Sequence, residues 1–425
     1  MGAKHIQKAQ RGFGLYINLK NNINLILNDS LYRTSFYLFI SRSVAAACGF
    51  LFWIVAARYY SINDVGIATS LISALSLVGL ISDFGLSVSL LRFLPEQNNK
   101  NLLGTYIIFG ITSSFSVALI YILLSSYLNT SLSNFMNQKI IIIFIFLSII
   151  NAFISLGGNA LIAMKRASLY SYLIIFLTTR IIFLIPLTFL NYTGIFLSFG
   201  FAYILGTIFL TIAIWKIFPF KLKIDKHIFE YSMKYSFWIY ISNLFSVSPT
   251  LIMPIMVLNI SGEAEAAKYY IAFALASLVM IIPDSLSTSL LVEGSHGENL
   301  RTNTVKSIFM VYILIIPITL FLYTFGGIIL DLFNTDYAGA YPLLITLAFA
   351  NLFIVIFSVF IPIQNVRLKM KSNTKLNCFR FFLLISMSYI FLLKFGIVGV
   401  GYAWILSYLI LDIIIIIYVK RQGWL

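Results

Sequence analysis

Twelve apolar stretches follow one another along this chain, near residues 34–58, 65–89, 103–127, 139–164, 170–190, 193–216, 233–259, 266–290, 304–328, 340–364, 376–394 and 397–419. About twenty residues rising roughly 1.5 Å each cross a bilayer's hydrocarbon core, so each stretch is long enough to span it. In lipid every backbone polar group must be satisfied within its own segment, which makes each stretch a helix. With 60% apolar residues and only 10% charged, a chain of 425 residues could not present its surface to water. The expected fold is an all-α integral membrane protein with 12 transmembrane helices. Residues 1–33 carry no cleavable apolar core and read as a polar, basic leader to the first span. Within them Leu15, Leu19, Ile23 and Leu27 recur every four residues. That spacing fits an interfacial helix, and a basic tail without structure is the alternative.

The twelve spans are not independent. Displaced by 201 residues, the chain matches itself in three places. Ser35-Phe36-Tyr37-Leu38-Phe39-Ile40-Ser41 falls on Ser236-Phe237-Trp238-Ile239-Tyr240-Ile241-Ser242. Ser76-Leu77-Val78 and Asp83 fall on Ser277-Leu278-Val279 and Asp284. Gly200-Phe201-Ala202-Tyr203-Ile204-Leu205 falls on Gly401-Tyr402-Ala403-Trp404-Ile405-Leu406. The offset covers six helices, an even number, so the halves share one orientation and relate by an axis along the membrane normal. The expected division is a cytoplasmic N-terminal segment (1–33), a six-helix lobe (34–216), a Lys-rich linker (217–232), a second six-helix lobe (233–419) and a tail (420–425). Paired repeats of this kind hold a substrate between them and rock about it, which is the plan of a transporter.

The net charge of +15 is a matter of topology rather than of nucleic acid. With the N-terminus inside, 22 of the 29 basic residues fall in loops on one side, and the other side has Arg58, Lys139, Lys268 and Lys394. This positive-inside bias predicts a multi-pass protein of the bacterial cytoplasmic (inner) membrane with both termini in the cytoplasm. Cys48 and Cys378 lie in separate apolar stretches and His5, His227 and His296 are scattered, so neither a disulfide framework, a metal site nor a cofactor is expected. No P-loop and no external domain are present, which argues against an ATP-driven exporter and against an enzyme acting on polysaccharide.

Charges left at membrane depth mark a pathway or a buried pair. Arg42 lies about eight residues into the first span, roughly 12 Å deep, above the small residues Ala45, Ala46 and Gly49. It either lines a cavity or snorkels to the head groups. Arg180 lies near the midplane of the fifth span, where it either binds an anionic ligand or pairs with Asp83. Arg380, one position from the repeat mate of Arg180, is expected to snorkel at the inner end of the eleventh span. Asp83 continues a polar stripe of Thr69, Ser73, Ser76, Gly79 and Ser87, and Asp284 repeats it with Ser277, Ser287 and Thr288. These carboxylates either bind a coupling cation or latch a gate, or they anchor helix ends. Asp412 is a weaker candidate in the twelfth span. Arg42 corresponds to Asn243 in the second half, so the membrane-depth cations favour the first lobe and an anionic cargo. Tyr37, Trp238, Tyr240, Tyr269 and Tyr270 either stack on sugars or belong to packing and the interfacial belt.

The run Ala57-Arg58-Tyr59-Tyr60 with Val65-Gly66-Ile67-Ala68, then Asp83-Phe84-Gly85-Leu86-Ser87 and Leu91-Arg92-Phe93-Leu94-Pro95-Glu96, resembles the first two helices of polysaccharide flippases. These belong to the multidrug/oligosaccharidyl-lipid/polysaccharide (MOP) exporter superfamily, and Gly401-Tyr402-Ala403-Trp404 is similar to the start of its last helix. The resemblance implies a V-shaped pair of six-helix bundles around a cationic cavity. It also implies export of polyprenyl-diphosphate-linked oligosaccharide units, as in O-antigen or capsule synthesis, with Arg42 and Arg180 alone as binding cations; Asn243 and Arg380 are secondary candidates by their repeat positions. The implied partners are the lipid-linked glycan, membrane lipids, a polysaccharide polymerase and a chain-length regulator. A cation-coupled multidrug exporter of the same superfamily and a non-transporting scaffold of a polysaccharide-synthesis complex are the competing readings. A major-facilitator sugar transporter is disfavoured, because its basic loop between the second and third helices is replaced here by Arg92-Phe93-Leu94-Pro95-Glu96.

Overall fold

The computed structural model describes residues 30–97, 100–217, 226–283, 300–367 and 369–422. The amphipathic stretch 15–27, residues 218–225 of the expected linker and Asp284 lie outside the described residues. Twelve helices among those described are long and apolar enough to cross a membrane. They are α1 (Tyr37–Tyr59), α2 (Ile62–Ser82), α3 (Leu102–Tyr127), α4 (Gln138–Ala163), α5 (Ala167–Leu184), α6 (Tyr192–Ile217), α7 (Ser232–Ser261), α8 (Glu263–Pro283), α9 (Thr304–Asp331), α10 (Thr335–Val366), α11 (Met370–Phe395) and α12 (Val398–Arg421). The twelve expected spans are therefore all present. An even number of crossings puts the start of α1 and the end of α12 on one face, called here the terminal face.

The helices form two lobes. In the first, α5 joins α1 to α6, and α4 packs on α3 and α6. In the second, α11 joins α7 to α12, and α10 packs on α9 and α12. The sequence repeat marks corresponding joints. Ser41 of α1 hydrogen-bonds Ser171 of α5 at 2.7 Å, and its mate Ser242 of α7 accepts from the Asn377 amide of α11 at 2.9 Å. Gly200 lets α6 approach Leu147 of α4, and Gly401 lets α12 approach Thr346 of α10 so closely that a Cβ would stand 2.0 Å from its hydroxyl. Small residues at such crossings let helix backbones approach, which is what drives packing where lipid is as apolar as the side chains.

Two expected helices are broken. The second was expected to run through residue 89, but it stops at Asp83. Phe84 and Gly85 take left-handed conformations (φ 45° and 82°), and a separate helix, Leu86–Gln97, follows. Asp83 stabilises the break: its carboxylate accepts from the Gly85 N–H at 3.2 Å, the Ser87 N–H at 3.3 Å and the Ser87 hydroxyl at 2.5 Å. The fifth span was expected through residue 190 as one helix. It is interrupted at Thr179 and resumes as Arg180–Leu184. Thr178 and Thr179 turn their hydroxyls back onto the carbonyls of Ile175 and Phe176 at 2.7 and 2.6 Å, a competition with the helix ladder that loosens it locally.

The lobes meet around α2, the most enclosed of the spans, which packs along both α7 and α8. On the face away from the termini, Gly66 is pressed against the start of α8: a Cβ there would lie 1.9 Å from the Glu263 carbonyl oxygen. Arg58 also donates to the Leu332 carbonyl at 2.9 Å, and Phe50 meets Phe333 edge-on at 5.5 Å. At the terminal face the α2/α7 seam is shut as well. Tyr240 donates to the Ile81 carbonyl at 2.7 Å, and Phe93 meets Tyr235 at 5.3 Å. The symmetry-related seam differs. Between α1 and α8 no extended packing exists among the described residues; they touch where Trp53 lies on Tyr270 at 4.7 Å.

Candidate functional site

Arg180 opens the short helix that resumes after the break in α5, and it reaches the lobe interface. Its segment is held from the far end by Tyr60, whose hydroxyl donates to the Leu184 carbonyl at 2.6 Å. Burial, and then the nearby Asp64 carboxylate, push that phenol up to about 12, so it stays a donor throughout the ordinary pH range. The guanidinium lies over the ring of Phe199 at 4.3 Å and of Phe52 at 5.1 Å. The hydroxyls of Tyr203 and Tyr270 are within electrostatic reach, and Tyr270 comes from the second lobe. Gly49 of α1 leaves room beside it: a Cβ there would be 3.6 Å from Nη2, an ordinary contact.

Rings surround this cation and acceptors do not. Among the described residues Arg180 makes no hydrogen bond and no ion pair, and its Nε is sealed without a partner. The two terminal nitrogens are not sealed; they keep access to open space. Cation–π contact contributes about 0.5–2 kcal/mol, whereas withdrawing an ion from water costs several. The arrangement therefore has an unfilled demand for an anion. The expected alternative, an Arg180–Asp83 pair, is not formed, because Asp83 is engaged by its own turn.

Arg42 stands on the same face of α1 as Gly49 and Trp53, seven and eleven residues further on. It is exposed, roughly 10 Å along the helix from the level of Arg180 and nearer the terminal face. Its neighbour Ser41, not Arg42, makes the contact with α5. The two candidate cations thus share one wall, at different depths.

Arg380 does not snorkel. It is 8% exposed, inside the second lobe. There it donates to the Ser246 carbonyl at 2.7 Å, the Ser246 hydroxyl at 3.0 Å and the Tyr408 hydroxyl at 3.2 Å, and lies over Phe357 at 4.7 Å. Three helices, α7, α10 and α12, supply those groups, and they draw the arginine inward. Asn243 is exposed on α7 and Asp412 is buried in α12. Thr69 and Ser76, in the expected polar stripe, are turned onto their own helix carbonyls. Tyr269 is buried, and Tyr240 serves the α2/α7 seam, so neither is presented to a ligand.

Two groups of site residues escaped the sequence reading. The aromatic cage of Phe52, Phe199 and Tyr203 is invisible among so many rings. Asn151, Ser155 and Asn159, four apart on apolar α4, are a periodic signal that attention to charges passed over.

No family model and no curated protein matches this chain. Solved structures do. The lipid II flippase MurJ in an inward closed conformation is similar over 90% of this chain and 87% of its own, with a TM-score of 0.70 and 16% identity. This chain shares that fold. An inward-facing multidrug resistance MATE family transporter of the MOP superfamily covers 86% of this chain and 94% of its own at a TM-score of 0.67 and 13% identity. An outward-facing one covers 94% and 97% at 0.64 and 12%. The fold expectation is thereby met, with the two-lobed plan included.

Proposed function

We propose that this protein is a flippase that carries polyprenyl-diphosphate-linked oligosaccharide from the cytoplasmic to the outer leaflet by alternating access. The observation that carries the reading is Arg180: a guanidinium at the lobe interface, caged by rings, with no hydrogen bond or ion pair among the described residues. A diphosphate supplies what it lacks, through charge-assisted hydrogen bonds to the terminal nitrogens. Arg42, exposed on the same wall nearer the terminal face, meets the anion first. The loosely joined α1/α8 side lets the carrier tail remain in lipid while the head group enters. With the terminal face cytoplasmic, an outward-moving anion is helped by the membrane potential, about 2.3 kcal/mol per charge per 100 mV.

A multidrug exporter is the second reading, favoured by the MATE transporters among the similar structures. Cationic drugs would meet Arg42 and Arg180 with repulsion. In this reading of the site Asp83 anchors the α2 break rather than binding a coupling ion, and Asp83→Asn leaves any ion dependence unchanged. The deciding experiment uses proteoliposomes containing the full chain and two cargoes, a fluorescent polyprenyl-diphosphate-linked N-acetylglucosamine and ethidium. Movement of the diphosphate lipid that Arg180→Ala abolishes supports the flippase. Ethidium movement without lipid movement overturns it in favour of the exporter.

A further inference from the structure

A cavity opens on the lobe interface, and it is chemically unlike the surroundings of Arg180. It occupies about 400 Å³ between α2, α4 and the Leu86–Gln97 helix, and Asn243 of α7 completes it from the second lobe. That volume is typical of small-molecule sites, roughly 300–1,000 Å³. Its polar lining includes Asp83, Ser87, Asn151, Ser155, Asn159 and Asn243, beside Ser76 and Ser82, whose hydroxyls are spent on their own helix carbonyls. Two further clefts, of about 280 and 390 Å³, are mainly apolar, with Gln364, Ser372 and Lys375 in one and Ser125, Thr130 and Asn259 in the other.

No arginine or lysine lines this cavity. Its one charge is the Asp83 carboxylate, which repels a diphosphate and already accepts from Gly85 and Ser87. The neutral groups are the available ones. Asn151 and Asn243 make no side-chain hydrogen bond among the described residues, and Asn159 uses one amide hydrogen on the Ser155 carbonyl at 2.9 Å. Each free amide offers donors and an acceptor side by side. That pattern complements hydroxyl and acetamido groups, which both give and take hydrogen bonds. The cavity is also well placed in depth. Ser155 and Asn159 lie in the last turns of α4 before the terminal face, whereas Arg180 lies about 20 Å into α5 from that face.

We propose that this cleft is a subsite for neutral sugar rings, separate from the arginine that holds the diphosphate; the proposal rests on the flippase reading above. The repeat explains how one duplicated helix came to serve both ends of the ligand. Arg42 and Asn243 are repeat mates, one offering a cation and the other an amide.

The test measures binding to the purified full chain in nanodiscs, with three probes: farnesyl diphosphate, and farnesyl diphosphate carrying glucose or N-acetylglucosamine. A sugar-bearing probe is expected to bind more tightly than the bare one. Asn151→Leu and Asn243→Leu should each reduce that advantage about five- to tenfold, leaving bare farnesyl diphosphate unaffected. Arg180→Ala should weaken all three probes alike. Asn243 is exposed, so its variant folds normally and keeps the test open if Asn151→Leu does not. Unchanged binding of both sugar-bearing probes by Asn243→Leu, with Arg180→Ala still weakening them, overturns the sugar subsite and leaves the flippase reading standing. Failure of every diphosphate probe to respond to Arg180→Ala overturns the flippase reading instead.

Discussion

Arg180 and Arg380 sit one position from exact repeat mates, in α5 and α11, and their surroundings are opposites. Arg380 is enclosed and supplied: a carbonyl, two hydroxyls and a ring meet it inside the second lobe. Arg180 is enclosed and unsupplied, held by the faces of Phe52 and Phe199 with its terminal nitrogens open. The same residue type at matching places has become a packing element in one lobe and an unfilled site in the other. On the proposed function, the duplicated position packs its own lobe in one copy and is kept for a ligand in the other. The difference is measurable, because a structural cation governs stability and a ligand cation governs transport.

The largest effect is expected at Arg380. Arg380→Ala leaves a cavity and strips buried hydroxyls of their partner, lowering stability by about 2–4 kcal/mol. Thermal unfolding in detergent should show a clear drop, and surviving protein should still bind farnesyl diphosphate. Arg180→Ala reverses the pattern: its melting temperature stays near wild type while transport of a diphosphate-linked lipid falls roughly 10- to 100-fold, the worth of hydrogen bonds to a charged group. Arg180→Lys should keep part of the activity, having charge without the planar fork. A large melting shift for Arg180→Ala with unchanged transport would erase the contrast.

Smaller effects sharpen it. The paired serines at the α1/α5 and α7/α11 joints should not be equivalent. Ser171 still has the Ala167 carbonyl at 3.1 Å when Ser41 is lost, but Ser242→Ala leaves the Asn377 amide wholly unpaired, its Oδ1 being without a partner already. Ser242→Ala should therefore cost about 1 kcal/mol and Ser41→Ala less, read by thermal unfolding. Smallest of all is Gly49→Ala, whose methyl makes an ordinary contact with the Arg180 guanidinium. Stability should stay within about 0.5 kcal/mol, and transport should be retained.

Much of this was legible before any coordinates. Hydropathy finds all twelve spans because a bilayer permits few alternatives to a helix. The 201-residue repeat finds the two lobes because its matched positions, Ser41 with Ser242 and Gly200 with Gly401, are contacts that every copy of the lobe must make. The arginines were visible as charges at depth, but their fates were not. Whether acceptors surround Arg380 and rings surround Arg180 is decided by helices distant in sequence. Thr179 and Gly85 break helices through a hydroxyl bond and a left-handed turn, effects too local to disturb an apolar pattern. The cleft was missed for a different reason: Asn151, Ser155 and Asn159 recur at helical spacing, but they are neutral, and charge is the louder signal in a membrane.

The unequal seams carry a last consequence. With α2 bound to α7 along its length and α1 barely touching α8, the two lobes resemble the covers of a book whose spine is α2/α7. Such a body opens towards one side of the membrane plane. On the proposed function, a lipid-borne cargo would arrive from a single compass direction, and any enzyme that hands it over, or takes it up on the far side, would stand beside the same edge. The molecule would thus impose a heading on its neighbours, as a doorway does on a corridor.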